Sequence, residues 1–302
     1  MINIIKQWLE RNFSLFLLIG FSAGFFLPGG EHIPKQTVIW ILAAVIFVSC
    51  SGITMDDIRS IHIREALLFY CIRFILFPFA VFGVFHSFAP EFAYAAFLLA
   101  LLPSGVASSG LTFMAGGNAA IALGVTVLAS FMAPFVIPGA FAVAGKSISL
   151  DLLGIGQTIG LMIFLPVFLY FFIARKIEPV KTTLRSWSKA TITVLMGTML
   201  MVITIQMHEL FLEDILLSAK AAGILFPLFF VFYAAVWLGY FMASTRRRIA
   251  YVFCSGAMNN GLGISLAFLY FPPEVTLFLV LSEIPWILSI PLFNRYLKKI
   301  GT

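Results

Sequence analysis

The sequence predicts an all-α integral membrane protein of ten transmembrane helices, built as two inverted five-helix repeats with the fourth and ninth helices broken. Three observations lead there. Of 302 residues, 61% are hydrophobic and only 11% charged, a balance foreign to soluble globular domains. Ten apolar stretches are long enough to span a bilayer, which takes about 20 residues. Two polar islands interrupt otherwise oily helices: Ser104-Gly105-Val106-Ala107-Ser108-Ser109-Gly110-Leu111 and Ser255-Gly256-Ala257-Met258-Asn259-Asn260-Gly261-Leu262. Both read Ser-Gly-x-x-polar-polar-Gly-Leu and they lie 151 residues apart. A broken, polar segment in matching positions of two halves points to a transporter's binding site.

In chain order the expected spans are 13–29, 36–53, 65–86, 92–116, 118–143, 149–174, 187–207, 216–242, 248–271 and 275–297. An even number leaves both termini on one side. With that side cytoplasmic, fifteen of the nineteen Lys and Arg residues fall inside, among them Lys6, Arg11, Arg64, Arg175, Lys189, Arg247 and Lys299. Lys35, Lys146 and Lys220 fall outside and Arg73 within a span, which obeys the positive-inside rule. A multi-pass protein of the cytoplasmic membrane with both termini cytoplasmic is expected. The net charge of +6 is then assigned to loops that hold topology and meet anionic lipid, with no nucleic-acid partner.

Lys6 and Arg11 before an apolar run imitate a signal peptide, but no small-residue cleavage site follows, so an uncleaved first helix is read. Ile2, Ile5, Trp8 and Leu9 make a short amphipathic stretch expected on the membrane face. Cys50, Cys71 and Cys254 fall in or beside apolar spans with no CxxC pair and read as inert thiols. His32, His62, His86 and His208 show no metal spacing.

The islands are not the only echo. Ile75-Leu76-Phe77-Pro78 recurs as Ile224-Leu225-Phe226-Pro227, an offset of 149, and Pro134 and Pro285 are 151 apart. Nearly one register over three spans supports a duplication. Because five is odd, the second copy enters from the opposite face, an inverted repeat. Repeat one covers about 13–143 and repeat two about 149–297, joined near 145–149, so residues 1–302 make one membrane unit.

At each island the helix should unwind: Pro103 cannot donate a backbone hydrogen bond and the glycines accept unusual dihedrals. Each break exposes the positive N-terminus of one half-helix and the carbonyl end of another. Carbonyls, hydroxyls and amide oxygens suit a small cation; the helix N-termini suit an anionic group. Ser108, Ser109, Ser255, Asn259 and Asn260 are the candidate substrate-binding residues. Close helix packing by small residues is the alternative reading of a single Gly-Ser patch.

These segments resemble the bile acid:sodium symporter family. Gly52-Ile53-Thr54-Met55 resembles its Gly-x-Thr-x turn, and residues 103–118 its fourth-helix crossover, ending in Ala115-Gly116-Gly117-Asn118. Met258-Asn259-Asn260-Gly261-Leu262 resembles its ninth-helix Gln-Asn-Ser-Gly-Leu. The likeness covers 13–296. It implies that the broken fourth and ninth helices cross. It implies a core of the third to fifth and eighth to tenth helices, a panel of the first, second, sixth and seventh, and substrate in the cleft between them. The panel would move against the core.

The same resemblance implies two sodium ions beside the crossover, and here the sequence departs from it. Ser108 and Ser109 stand at a Ser-Asn pair of the first site and Thr126 keeps its threonine. Ala122 stands where a hydroxyl is expected. Cys254 stands at an acidic residue shared by both sites, Met258 replaces a glutamine, and Arg73 sits where a glutamine ligand of the second site is expected. A site that loses a carboxylate and gains a guanidinium should bind sodium poorly.

Arg73 is itself costly, about 2.5–3.5 kcal/mol by insertion scales, and lies roughly 12 Å from the cytoplasmic end. Its candidate counter-charge is Glu283, the only acid deep in a span; both should face the core interior. Left open are a direct pair, Arg73 as an anion ligand or a tethered substitute for sodium, and Glu283 as a proton-titrating group or a satisfied buried acid near Pro285.

No Walker A loop, HExxH or GxSxG elbow is present, so an enzyme is not expected. The expectation is a monomeric secondary transporter of a small organic anion, bile-acid-like or otherwise carboxylated. It needs no cofactor beyond sodium, whose sites are altered. The alternatives are sodium-independent or proton-linked transport, and an uncoupled channel or sensor on the same scaffold.

Overall fold

The computed structural model describes residues 2–27, 32–34, 36–52, 63–105, 107–144, 150–207, 209 and 215–300. Ile53, Thr54 and Met55 of the expected turn, Val106, the repeat join at 145–149, Lys35, Arg59, Lys146, His62 and His208 lie outside the described residues. So do the side chain of Ile2 and most of the loop at 55–64.

The described chain is all-helical. In order the helices are α1 (Ile2–Arg11), α2 (Phe13–Phe26), α3 (Thr37–Ser49), α4 (Ile63–Tyr70), α5 (Phe77–Phe88), α6 (Ala93–Leu101), α7 (Ala107–Met114) and α8 (Ala119–Ala144). They continue as α9 (Leu152–Phe172), α10 (Glu178–Gln206), α11 (Ile215–Gly239), α12 (Thr245–Gly256), α13 (Asn260–Tyr270), α14 (Pro273–Leu281) and α15 (Glu283–Lys299). Among the described residues the one β-type contact is an isolated antiparallel bridge between Ser104 and Met258.

Among the described residues six helical stretches, or seven if the bent α1–α2 pair makes one span, are long and apolar enough to cross a membrane: Arg64–Phe88, Ala119–Ala144, Leu152–Lys176, Glu178–Gln206, Ile215–Gly239 and Pro273–Lys299. This is a multi-pass membrane protein. α1 meets α2 at 88°, and Lys6 reaches from it to Ser186 Oγ (3.1 Å) and over the Trp187 ring.

Element ends follow local chemistry. The Asp151 carboxylate accepts from Gly154 N–H at 2.8 Å and caps α9, as short acceptors at helix starts do. Asn118 Oδ1 accepts from Ala120 and Ile121 N–H and opens α8. Just before it, Gly116 has φ +75°, a conformation that strains any residue with a Cβ. α10 begins at Glu178, nine residues ahead of the expected limit. Pro179 sits in its first turn, where a missing N–H costs nothing, so the polar segment after 178 is helix, not loop.

Packing sorts the helices into two groups. α10 packs on α2 and α3, and α3 on α9, while α4–α8 and α11–α15 pack among themselves; the two groups meet along α8 and α9. In the first, Gly20 and Gly24 stack against α10: a Cβ at Gly20 would lie 2.3 Å from Gly197 O and one at Gly24 2.5 Å from Met201 O. Bare backbone there lets the two helices touch, the use membrane helices make of a GxxxG pair.

The apolar interior is lopsided. One large cluster joins both groups, from Leu17, Val38 and Leu42 to Leu102, Leu262 and Phe278. Two others do not: Ala66, Phe69, Trp237, Ile249 and Phe293 cluster within the second group, and Cys50, Tyr170 and Ala174 within the first. Replacing Gly20 by Ala should therefore cost about 1–3 kcal/mol of overpacking, read as a lower unfolding temperature in detergent. An unchanged value would contradict the α2–α10 contact.

Candidate functional site

Both polar islands are breaks, and the breaks bond to each other. α6 ends at Leu101; after Leu102 (ψ 134°) the chain is extended and cannot keep its helical ladder. α12 ends at Gly256. Gly105 N–H donates to Ala257 O and Asn259 N–H to Pro103 O, each at 2.8 Å. Backbone left without helical partners at membrane depth is thus paired across the crossing. Gly105 permits it: a Cβ there would sit 3.0 Å from Met258 O and 3.1 Å from Ala257 O.

Arg73 lies beside this crossing, 2% exposed, on a π-helical turn, Cys71–Leu76, between α4 and α5. Phe77 N–H reaches back five residues to Ile72 O, and Pro78, without an N–H, cannot serve Phe74 O. Ile224-Leu225-Phe226-Pro227, the echo of this segment, sits inside the unbroken helix α11. The wide turn is therefore peculiar to the Arg73 copy, and such bulges recur at functional sites.

The guanidinium donates Nη1–H to Ala100 O at 2.8 Å and Nη2–H to Ser255 O at 2.9 Å. Both acceptors are last-turn carbonyls, of α6 and α12, whose helices leave them without intrahelical donors. One cation thus caps the negative ends of both N-terminal half-helices. Nε–H donates to Ser255 Oγ at 2.6 Å and Nη2 approaches Met258 Sδ at 3.5 Å. The rings of Phe74, Phe77 and Phe232 lie 4.8–5.1 Å from Cζ, cation–π distances. Glu283 is not among the groups Arg73 contacts.

Next to it lies a closed hydroxyl ring. Ser104 Oγ donates to Ser108 Oγ at 2.9 Å, Ser108 and Thr126 hydroxyls are 2.8 Å apart, and Thr126 and Ser104 3.1 Å. Cys254 Sγ approaches Ala122 O at 3.6 Å, the carbonyl that also accepts from Thr126. All four side chains are buried. The donor set is three neutral oxygens and a thiol, without a carboxylate. A monovalent cation there would meet no counter-charge and would sit near Arg73.

The expected site residues therefore divide. Ser108, Thr126 and Cys254 come together, joined by Ser104, whose i,i+4 spacing to Ser108 was the available signal. Ser255 is fully buried and engaged: it donates to Phe232 O at 2.9 Å while accepting from Arg73. It is a partner of the guanidinium and not a cleft-facing group. Met258 likewise turns its sulfur to Arg73. Asn259, half-buried, accepts from Leu262 N–H at 3.2 Å and caps α13. Asn260 is buried and turned to Ser282 (3.4 Å) and Glu283. Ser109 is half-buried on the first turn of α7.

Charged groups at the ends of the spans tie neighbouring elements: Lys220 pairs with Glu91 and holds its carboxyl below the usual range, and Arg247 binds Glu65 at 2.8 Å.

Replacing Arg73 by Met should strand Ala100 O and Ser255 O, each worth about 1–3 kcal/mol when left unpaired in the interior. A loss of at least about 3 kcal/mol is expected in detergent unfolding, with Arg73→Lys intermediate. Wild-type stability in Arg73→Met would contradict this arrangement.

The profile of the SBF-like CPA transporter family matches residues 9–288. The chain is similar to YbaS of Bacillus subtilis (strain 168), an uncharacterized protein, at 23% identity over 94% of each chain. It is also similar to YocS of the same organism, named an uncharacterized sodium-dependent transporter, at 24% identity over 45% of this chain and 44% of YocS.

Proposed function

The chain belongs to the SBF-like CPA transporter family, and on that premise we propose that it is a secondary active transporter of a small organic anion, working by alternating access in the cytoplasmic membrane. The reading includes ten spans in two inverted repeats with cytoplasmic termini. In support, each expected apolar stretch holds helix and the breaks fall at equivalent places in the two halves. The first packing group is the panel and the second the core. Substrate, a carboxylated or bile-acid-like solute, binds at the N-terminal ends of α7 and α13, near Ser109 and Asn259, where helix dipoles favour negative charge.

The observation that carries the reading is Arg73 capping both half-helices. Its guanidinium supplies the positive charge that a bound cation would bring to the crossing. Sodium then has at most the Ser104–Ser108–Thr126 ring, with neighbouring Ser109, to bind, and Cys254 and Met258 take no part as cation ligands. Coupling by protons is the second reading, favoured by the buried acid Glu283.

The lopsided interior supports a panel that parts from the core at one end. At the opposite end Thr158 donates to Tyr270 OH, which donates to Gly154 O at 3.0 Å, joining α13 of the core to α9 of the panel. This is a latch between the two bodies.

Two experiments follow. Counterflow in liposomes, run with cholate and with short mono- and dicarboxylates, should show saturable exchange of at least one anion. Linear, unsaturable flux of all of them would point to the channel reading instead. Tyr270→Phe should remove about 1 kcal/mol from the latch. It should raise hydrogen exchange in the first turns of α9 about fivefold; unchanged exchange would discard the latch.

A further inference from the structure

Glu283 opens α15 at 5% exposure, two residues before Pro285. Its surroundings form a chain of donors that stops short of it. Ser282 O–H donates to Leu279 O at 2.6 Å. Its only proton so used, Ser282 can only accept from Asn260, which fixes the Asn260 nitrogen on that side at 3.4 Å. The Asn260 oxygen is thereby turned away from Ser282, and it is buried with no donor. The Asn260 amide is set against the Glu283 carboxyl, whose Oε2 is nevertheless buried with no donor. The buried Oε2 of Glu283 lacks a hydrogen.

No charged side chain supplies it. Arg73, the one buried cation beside the crossing, gives its donors to Ala100, Ser255 and Met258. On α11, the Tyr233 hydroxyl meets Ser289 Oγ at 3.2 Å, whose own proton goes to Trp286 O, and Lys220 pairs with Glu91. On α13, Tyr270 is held by Thr158 and Gly154; Glu274 opens the far end of α14, and Arg295, Tyr296, Lys298 and Lys299 lie three or more turns along α15. An ionised carboxylate left alone in the interior costs several kcal/mol. A proton removes that charge and provides the missing hydrogen.

The place matters as much as the chemistry. Next to Asn260, Gly261 abuts Met196 and Met199 of α10 and Leu42 of α3. One turn beyond Glu283, the Trp286 ring meets Phe13 of α2 edge-on at 6.4 Å, and its buried Nε1–H has no partner either. The orphaned group therefore sits where the core touches three panel helices.

Resting on the transporter reading, we propose that Glu283 is a proton-carrying site. Its carboxylate takes one proton when α13–α15 are closed against the panel and returns it to water when that contact opens. The bound species is H⁺ itself, with the Asn260 amide and Ser282 as the polar wall.

The test is infrared difference spectroscopy of the purified protein over roughly pH 5–9, the range in which buried carboxyls are known to ionise. The wild type should lose a protonated-carboxyl C=O band as pH rises. Glu283→Gln, whose amide offers the same hydrogen permanently, should fold and lack that band. Identical difference spectra in the two proteins would overturn the site, as would a wild type with no such band. The two claims fail separately. A band lost in Glu283→Gln with no anion counterflow would keep the proton site and discard the transporter reading; counterflow with no Glu283 band would do the reverse.

Discussion

A break in a membrane helix is tolerable only if the freed backbone groups find partners inside the protein, since lipid offers none. Every part of this site answers that constraint. The extended residues after Leu102 lend and take hydrogen bonds from the residues after Gly256, so each break is the other's partner. The remaining carbonyls of α6 and α12 point at a common place and need a cation or strong donors. Arg73 fills that place from a third helix, and the π turn that carries it exists only in the copy of the repeated motif that holds the arginine.

A permanent charge at the crossing changes what the rest of the site can do. The hydroxyl ring of Ser104, Ser108 and Thr126 is closed on itself, and Cys254 brings no negative charge to it. The guanidinium raises the electrostatic cost of any second cation nearby, while the dipoles at the N-termini of α7 and α13 favour negative charge. The one acid at this depth, Glu283, does not neutralise Arg73. It lies instead at the start of α15, beside Asn260 and Ser282, so Arg73 and Glu283 are buried apart from one another.

Much of this was legible in the chain. Pro103, the paired islands and the residues around Asn259 marked the breaks, because helix-breaking chemistry is local and appears in sequence order. That Arg73 would be buried and face inward was also readable, since an arginine about eight residues into a span has nowhere else to go. Its partners were not readable. Three of its hydrogen bonds go to carbonyl oxygen, sulfur and hydroxyl 182 to 185 residues away in the chain, and backbone carbonyls carry no residue label. For the same reason Ser255 looked like a cleft residue and proved to be a partner of Arg73. The early start of α10 was missed because its first turns are polar on all sides, a pattern set by position at the membrane surface and not by burial.

The central claim is that a tethered guanidinium occupies the cation position at the crossing. Its most direct measurement is the unfolding temperature of purified wild type and of the Arg73→Gln, Cys254→Glu double variant, in sodium against potassium. Removing the guanidinium and restoring a carboxylate should create a saturable, sodium-specific stabilisation larger than any in the wild type. A wild type already strongly stabilised by sodium, with no gain in the double variant, would contradict it.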